Sequence, residues 1–293
     1  MIEIFHVSDL HFGRTKEYKE RAILLLNRIK EEFEIENDGN KYLLVTGDIA
    51  DDGLKKQYDK ATKALIDFKG NVFVAPGNHD YATLGFLYRK KFAKNFDNHL
   101  VKTLGINHRY FAKKPFTKLI NDGTGNKVLL IGLNSCAKTP LPFDLAAGKI
   151  GKKQRNLLND TLNNPTYRDI PKIVYLHHIP HRLAHGIGMS LKDFKKLMDI
   201  VRKRVDVLAF GHEGRIKELK EKEIKKLKMS RKDYRKLKRI KKHYIPSRGM
   251  KLRSGKSQGI RYYLDANKSV NEQACYRIRI EGNKVSARLM KLA

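Results

Sequence analysis

The 293-residue chain predicts an α/β fold in which helices cover a β-sheet. Three observations carry this: six short apolar runs rich in Val, Ile, Leu and Phe, intervening segments with apolar residues at helical spacing, and regular alternation of the two through the first half.

The elements follow in order. IEIFHVS opens the chain as a strand, and YKERAILLLNRIKEEFE then places its apolar residues on one helical face. KYLLVT is the next strand, KQYDKATKALIDF the next helix and NVFVAP the third strand. Residues 81–127, including FLYRKKFAKNF, read as helix and loop. KVLLIGLNS and KIVYL are strands separated by the helical KKQRNLLNDTLNN. LKDFKKLMDIVRKR is a helix before the strand VDVLAF, and an antiparallel tail, GIRYYLDANKS with YRIRIEGNKVSARLMKL, closes the chain.

Five of the six runs stop at a side chain able to hold a metal or a phosphate: Asp9 and His11, Asp48, Asn78 with His79 and Asp80, His177 with His178, and His212. In open α/β sheets, ligands sit outside the carboxyl ends of strands, so these distant residues can meet in one crevice. Asp9 and His11 are two apart, which in extended chain points both the same way. Gly47, Gly77 and Gly211 stand beside three of the exits, where backbone must come close. The sixth run ends at Asn134-Ser135 without carboxylate or imidazole.

SDLHFG, GDIADDG, GNHD, LHHIP and FGHEG, in that order, resemble the signatures of the calcineurin-like metallophosphoesterases, and the resemblance covers nearly the whole chain. It implies a four-layer αββα sandwich: two mixed β-sheets packed face to face and flanked by helices. It also implies two divalent metal ions bridged by Asp48, with Asp9 and His11 completing one site and Asn78, His177 and His212 the other. Carboxylate, amide and imidazole donors without thiolates suit Mn, Fe or Zn. The implied reaction is hydrolysis of a phosphate ester by in-line attack of a metal-bound hydroxide, with SDLHFG and LHHIP closest to the phosphodiesterase branch; GNHD and Glu213 also keep a nuclease open. His79 takes the position that contacts phosphate and protonates the leaving oxygen, with Asp80 orienting or charging its imidazole. His178 is given a supporting or structural role.

One departure stands out. The family's last motif ends in a second histidine, and here that position is Gly214. The first site keeps Asp9, His11 and Asp48, so its metal is expected to be weaker or to find a replacement ligand, with Glu213, His181 and His185 nearby in sequence. Asp51 and Asp52 read as loop residues near the site. His6, His99, His108 and His243 read as ordinary histidines and Cys136 as a small buried hydrophobe.

Composition bounds the rest. Lys plus Arg number 62 against 31 acidic residues, a net charge of +31 that favours polyanionic partners. Residues 215–256 hold 19 Lys or Arg against four acidic residues, a net +15. This stretch reads as a basic helical insertion at the rim of the cleft, with Ser230 to Asp233 as a capping box and SRGMKLRSGKSQG as a flexible loop. The chain reads as a single domain over 1–293. Two cysteines, a first strand that begins at once and the absence of a long apolar stretch predict a cytoplasmic protein without membrane contact. Two functions from different classes follow: a phosphodiesterase on nucleotides or nucleic acid, and a nucleic-acid-binding protein on a phosphoesterase scaffold whose catalysis is weakened by Gly214. The sequence leaves the oligomeric state open.

Overall fold

Every central strand divides its side chains between two apolar layers, which is why the runs read as continuous rather than alternating. The computed structural model describes residues 1–35, 40–83, 85, 87–137, 146–180, 191–212, 251–254 and 260–292. The first sheet comprises β1 (Ile2–Val7), β2 (Lys41–Thr46) and β3 (Val72–Ala75), with the hairpin β12 (Ala274–Glu281) and β13 (Lys284–Lys291) added antiparallel beside β1. The second runs in the order β10 (Lys251–Ser254), β11 (Tyr262–Asp265), β9 (Val207–Phe210), β8 (Lys172–Tyr175), β7 (Lys127–Gly132) and β6 (Phe116–Asn121). Its four inner strands are parallel, and β6 and β10 are antiparallel edges. A small antiparallel pair, β4 (Ala82–Thr83) and β5 (Leu87–Tyr88), stands apart.

The inner faces meet in one core. Ile2, Ile4, Leu44, Phe73 and Ala75 of the first sheet pack against Leu130, Ile173, Tyr175, Val207 and Ala209 of the second. The alternate residues point outward. Phe5, Val7, Leu43, Val45, Val72 and Val74 share a core with α1 (Lys16–Glu34) and α2 (Lys55–Leu65). Leu129, Ile131, Val174 and Leu208 share another with α5 (Lys152–Asn163) and α6 (Phe194–Val201). Each fully buried aliphatic or Phe side chain contributes about 1.5–3 kcal/mol, so the three layers supply the folding drive. The shorter helices are α3 (Asn78–Tyr81), α4 (Lys90–Asn95) and α7 (Ser269–Glu272). The four-layer αββα arrangement implied by the resemblance is the one observed.

Two expectations need correction. Residues 81–127 hold strands as well as helix and loop: β6 is an edge strand with mostly exposed side chains, so it lacks the apolar signal of its neighbours. Lys251–Ser254, read as part of a flexible loop, forms β10 and pairs with β11. Residues 213–250, with Glu213, Gly214 and the expected insertion helices, lie outside the described residues, as do His181 and His185. No helix among the described residues is long and apolar enough to cross a membrane.

Candidate metal centre

The five strand exits converge beside the seam between the sheets. Asp9 and His11 follow β1, Asp48 follows β2, and Asn78 to Asp80 lie on α3 after β3, all from the first sheet. His177 and His212 follow β8 and β9 of the second. Asp9, His11, Asp48 and His212 all have positive φ, at 58°, 43°, 50° and 83°. Asp tolerates the left-handed region better than most residues, but such conformations cost about 1–3 kcal/mol each and persist where surrounding structure holds them. This backbone, rather than extended chain, brings Asp9 and His11 together, because both lie beyond the end of β1.

Holding contacts are numerous. Asp9 N donates to Gly47 O at 3.0 Å, His11 N to Asp48 O at 2.8 Å, and His212 N to Asp9 Oδ2 at 3.0 Å. Tyr18 Oη of α1 donates to Asp9 O at 2.9 Å, and the helix itself begins at Thr15, whose hydroxyl accepts from Tyr18 N. Two glycines allow the loops to touch. A Cβ on Gly77 would lie 2.1 Å from Asp48 Oδ1 and 2.3 Å from Asp48 N; one on Gly211 would lie 1.8 Å from Ser8 Oγ.

Among the described residues the donor atoms form three close groups, one of them His11, Asp51 and His79, and the other two share Asp48. Asp9, His11 and Asp48 offer ligand atoms within 4.8 Å of one another, and so do Asp48, His177 and His212. Asn78 joins the second: its Nδ2 donates to Gly85 O at 3.0 Å, which turns Oδ1 to within 2.9 Å of His177 Nε2. His177 Nδ1 sits 2.8 Å from Thr46 O, and a carbonyl only accepts, so the neutral imidazole carries its proton there. Its Nε2 lone pair then faces Asn78 Oδ1, Asp48 Oδ2 at 3.3 Å and His212 Nδ1 at 3.0 Å.

Electron-pair donors facing one another in a buried space require a cation between them. Asp48 Oδ1 accepts from His79 N at 2.9 Å, while Oδ2 is buried with no hydrogen-bond partner. Burial opposes ionisation of Asp48, yet His177, His79 and His11 hold its carboxyl well below the usual range. Burial likewise opposes protonation of His177, but Asp48 outweighs it and raises the imidazole to about 9. The cluster thus stabilises positive charge at Nε2, where a proton and a metal ion would compete. The donor set fits divalent metal ions.

Asp51, read from sequence as a loop residue, stands closer to the chemistry than expected. Its Oδ1 is 3.1 Å from His11 Nδ1, and its carbonyl is 2.8 Å from His79 Nδ1. The His11 ring therefore turns Nε2 toward Asp9 and Asp48, each 3.8 Å away. A carboxylate behind a ligating histidine is the usual way to fix such a ring, and GDIAD was the only signal for it in the sequence.

Asp80 differs from its expected role. Its carboxylate accepts from Ile49 N at 3.2 Å, Ala50 N at 2.8 Å, Gly77 N at 2.9 Å and Tyr58 Oη at 3.2 Å. The partner of the His79 imidazole is the Asp51 carbonyl, so Asp80 ties the loop after β2 to the start of α3 instead of orienting that ring. Burial and the Asp48 charge push its pKa up to about 7, against the pull of the three amides. His178 holds Nδ1 2.7 Å from Ser135 Oγ, and its ring packs 4.7 Å from that of His212; burial, then His177, keep it neutral.

The sandwich and its shared-carboxylate donor clusters define a class, the phosphoesterase-type metal centre. The family model described as calcineurin-like phosphoesterase matches residues 2–215, and the chain belongs to that family. Among solved structures, a dimetal phosphatase from Danio rerio superposes with a TM-score of 0.60 at 10% identity, covering 100% of this chain and 99% of that one. A 5′-nucleotidase from Staphylococcus aureus gives 0.53 at 15% identity, covering 99% of this chain and 54% of that one. GAP50, titled the anchor in the inner membrane complex of Plasmodium, gives 0.59 at 13%, covering 99% and 84%. At these identities the likeness shows the shared fold. No curated protein sequence matches the chain.

Proposed function

We propose that the protein is a phosphodiesterase acting on nucleotide or nucleic-acid esters, with Asp9, His11 and Asp48 holding one divalent metal ion and Asp48, Asn78, His177 and His212 a second. The observation that carries this reading is the Asp48 carboxylate common to both donor clusters. Mn, Fe or Zn suit the oxygen and imidazole donors. Bound there, two divalent cations would neutralise phosphoryl oxygens and supply an acidified water.

The chain's own residues position and protonate. Because His79 Nδ1 is committed to the Asp51 carbonyl, Nε2 is the atom available to the substrate. Entering as imidazolium, His79 would pass its Nε2 proton to the leaving oxygen and keep its Nδ1 proton on the carbonyl. The single-domain organisation and a cytoplasmic location belong to this reading, the latter supported by two free, buried cysteines.

Hydrolysis of bis-p-nitrophenyl phosphate with added Mn²⁺, faster than that of p-nitrophenyl phosphate and lost in Asp48→Ala and Asn78→Ala, is the expected result. A preference for the monoester would overturn the diesterase assignment. The second reading, a nucleic-acid-binding protein with weakened catalysis, is favoured by Gly214 and the basic 215–256 stretch. It is expected to show no turnover with any divalent metal and salt-dependent DNA or RNA binding that falls when 215–256 is deleted.

A further inference from the structure

A cavity of about 380 Å³ lies between the β4–β5 pair and the start of α5. Its lining includes Tyr88 and Phe111, both half-buried, and Lys149, Lys152 and Lys153, all exposed. The metal centre makes no use of these residues, but one helix connects the two sites. Tyr81, which also lines it, ends the α3 helix that bears Asn78 and His79, so its Cα lies at most about 7 Å from that of His79. Cys136, also in the lining, donates its thiol to Pro76 O just before α3.

The charges are placed against local electrostatics. Lys152 and Lys153 open α5, where the helix dipole disfavours cations and no acidic residue occupies the first turn. The carboxylate nearest this end, Asp193, accepts from Ile150 N and Gly151 N and pairs with Arg155. Lys149, Lys152 and Lys153 have no carboxylate partner among the described residues. Lys113, deep in the cavity, is spent on the carbonyls of Asn134 and Cys136. The lining therefore offers three uncommitted cations and two aromatic rings. Phe111 already carries a cation, with Lys90 Nζ 5.9 Å from its ring centroid.

We propose that this cavity holds the nucleoside part of the substrate, its base against Tyr88 and Phe111, with Lys149, Lys152 and Lys153 supplying positive charge at its edge while the ester phosphate reaches the metal donors. A volume of this size, mostly apolar with a few cations in its lining, is that of a small-ligand site, and an aromatic anion is the ligand that rings and lysines together suit. The proposal names the substrate for the phosphoesterase reading and rests on it for catalysis, while the binding itself needs no turnover.

The test uses the full chain in EDTA, titrated calorimetrically with thymidine 5′-monophosphate and separately with methyl phosphate. The nucleotide is expected to bind at least tenfold more tightly than methyl phosphate. Phe111→Leu and Tyr88→Leu, which keep apolar volume, are expected to remove that preference, and K149Q/K152Q/K153Q to weaken the nucleotide and flatten its salt dependence. With Mn²⁺, Phe111→Leu is expected to raise KM for thymidine 5′-(p-nitrophenyl phosphate) relative to bis-p-nitrophenyl phosphate. Equal affinity for the two probes, or parental nucleotide affinity in folded Leu and Gln variants, overturns the proposal even if diester hydrolysis is confirmed. Tight nucleotide binding sensitive to these variants, in a protein that hydrolyses no ester, supports the cavity and sinks the catalytic reading alone.

Discussion

Replacing Asp80 with alanine would leave the buried N–H groups of Ile49, Ala50 and Gly77 without their acceptor, and Tyr58 Oη with only the Asp80 carbonyl. At about 1–3 kcal/mol per unsatisfied buried group, the three amides amount to roughly 3–9 kcal/mol. Water entering the vacated volume recovers part of this, so a loss of about 3–5 kcal/mol is expected. For a chain of this size each kcal/mol corresponds to about 2 °C, giving a Tm lower by roughly 6–10 °C. Against a typical total of about 5–15 kcal/mol, that is severe without being fatal. Asp80→Asn, which keeps one oxygen, should fall between the variant and the parent. The assay is thermal unfolding followed by circular dichroism in EDTA, paired with the pH profile of kcat in Mn²⁺. A Tm within about 2 °C of the parent, with kcat reduced and its profile shifted, would refute the structural account and restore Asp80 to the His79 imidazole.

Further outcomes are expected elsewhere. Asp48→Ala, which removes the shared ligand, should lower the metal content measured by plasma emission to less than one ion per chain. Gly77→Ala should cost about 100-fold in kcat, because relieving a 2.1 Å approach to Asp48 Oδ1 displaces that carboxylate by a sizeable fraction of an ångström. His79→Gln should slow esters with poor leaving groups by about 10²–10⁴-fold, and p-nitrophenyl esters, which need less protonation, by much less. His6 is held near 3 by burial between the sheets. Below its ordinary value of 6.5 the unfolded chain takes up a proton that the folded chain refuses, so stability is complete at neutral pH and is lost as pH falls. Between pH 7.5 and 5 this amounts to about 2 kcal/mol, which His6→Phe should remove from the pH dependence of urea unfolding.

The strands and the donor residues were legible because each apolar run ended abruptly in a polar side chain, a pattern that survives without any contact information. Asp51 was not, since a second acidic residue in GDIADD resembles any solvated turn until the His11 and His79 rings are seen beside it. Adjacency in sequence misled for Asp80: α3 turns successive side chains by about 100°, so neighbours on it face different partners. β6 and β10 escaped notice because edge strands need no continuous apolar run, and pairing, not composition, creates them.

The donors come in two groups, Asp9, His11, Asp48 and Asn78 from one sheet and His177 and His212 from the other, so the centre works as a gauge of how the two sheets are seated. A slight slide of one sheet over the other leaves each hydrogen-bond ladder intact but separates Asp48 from His177. Trimming an inter-sheet side chain such as Tyr276 or Leu44, neither of them a donor, would then register first as weakened ion affinity and only afterwards as a change in the fold.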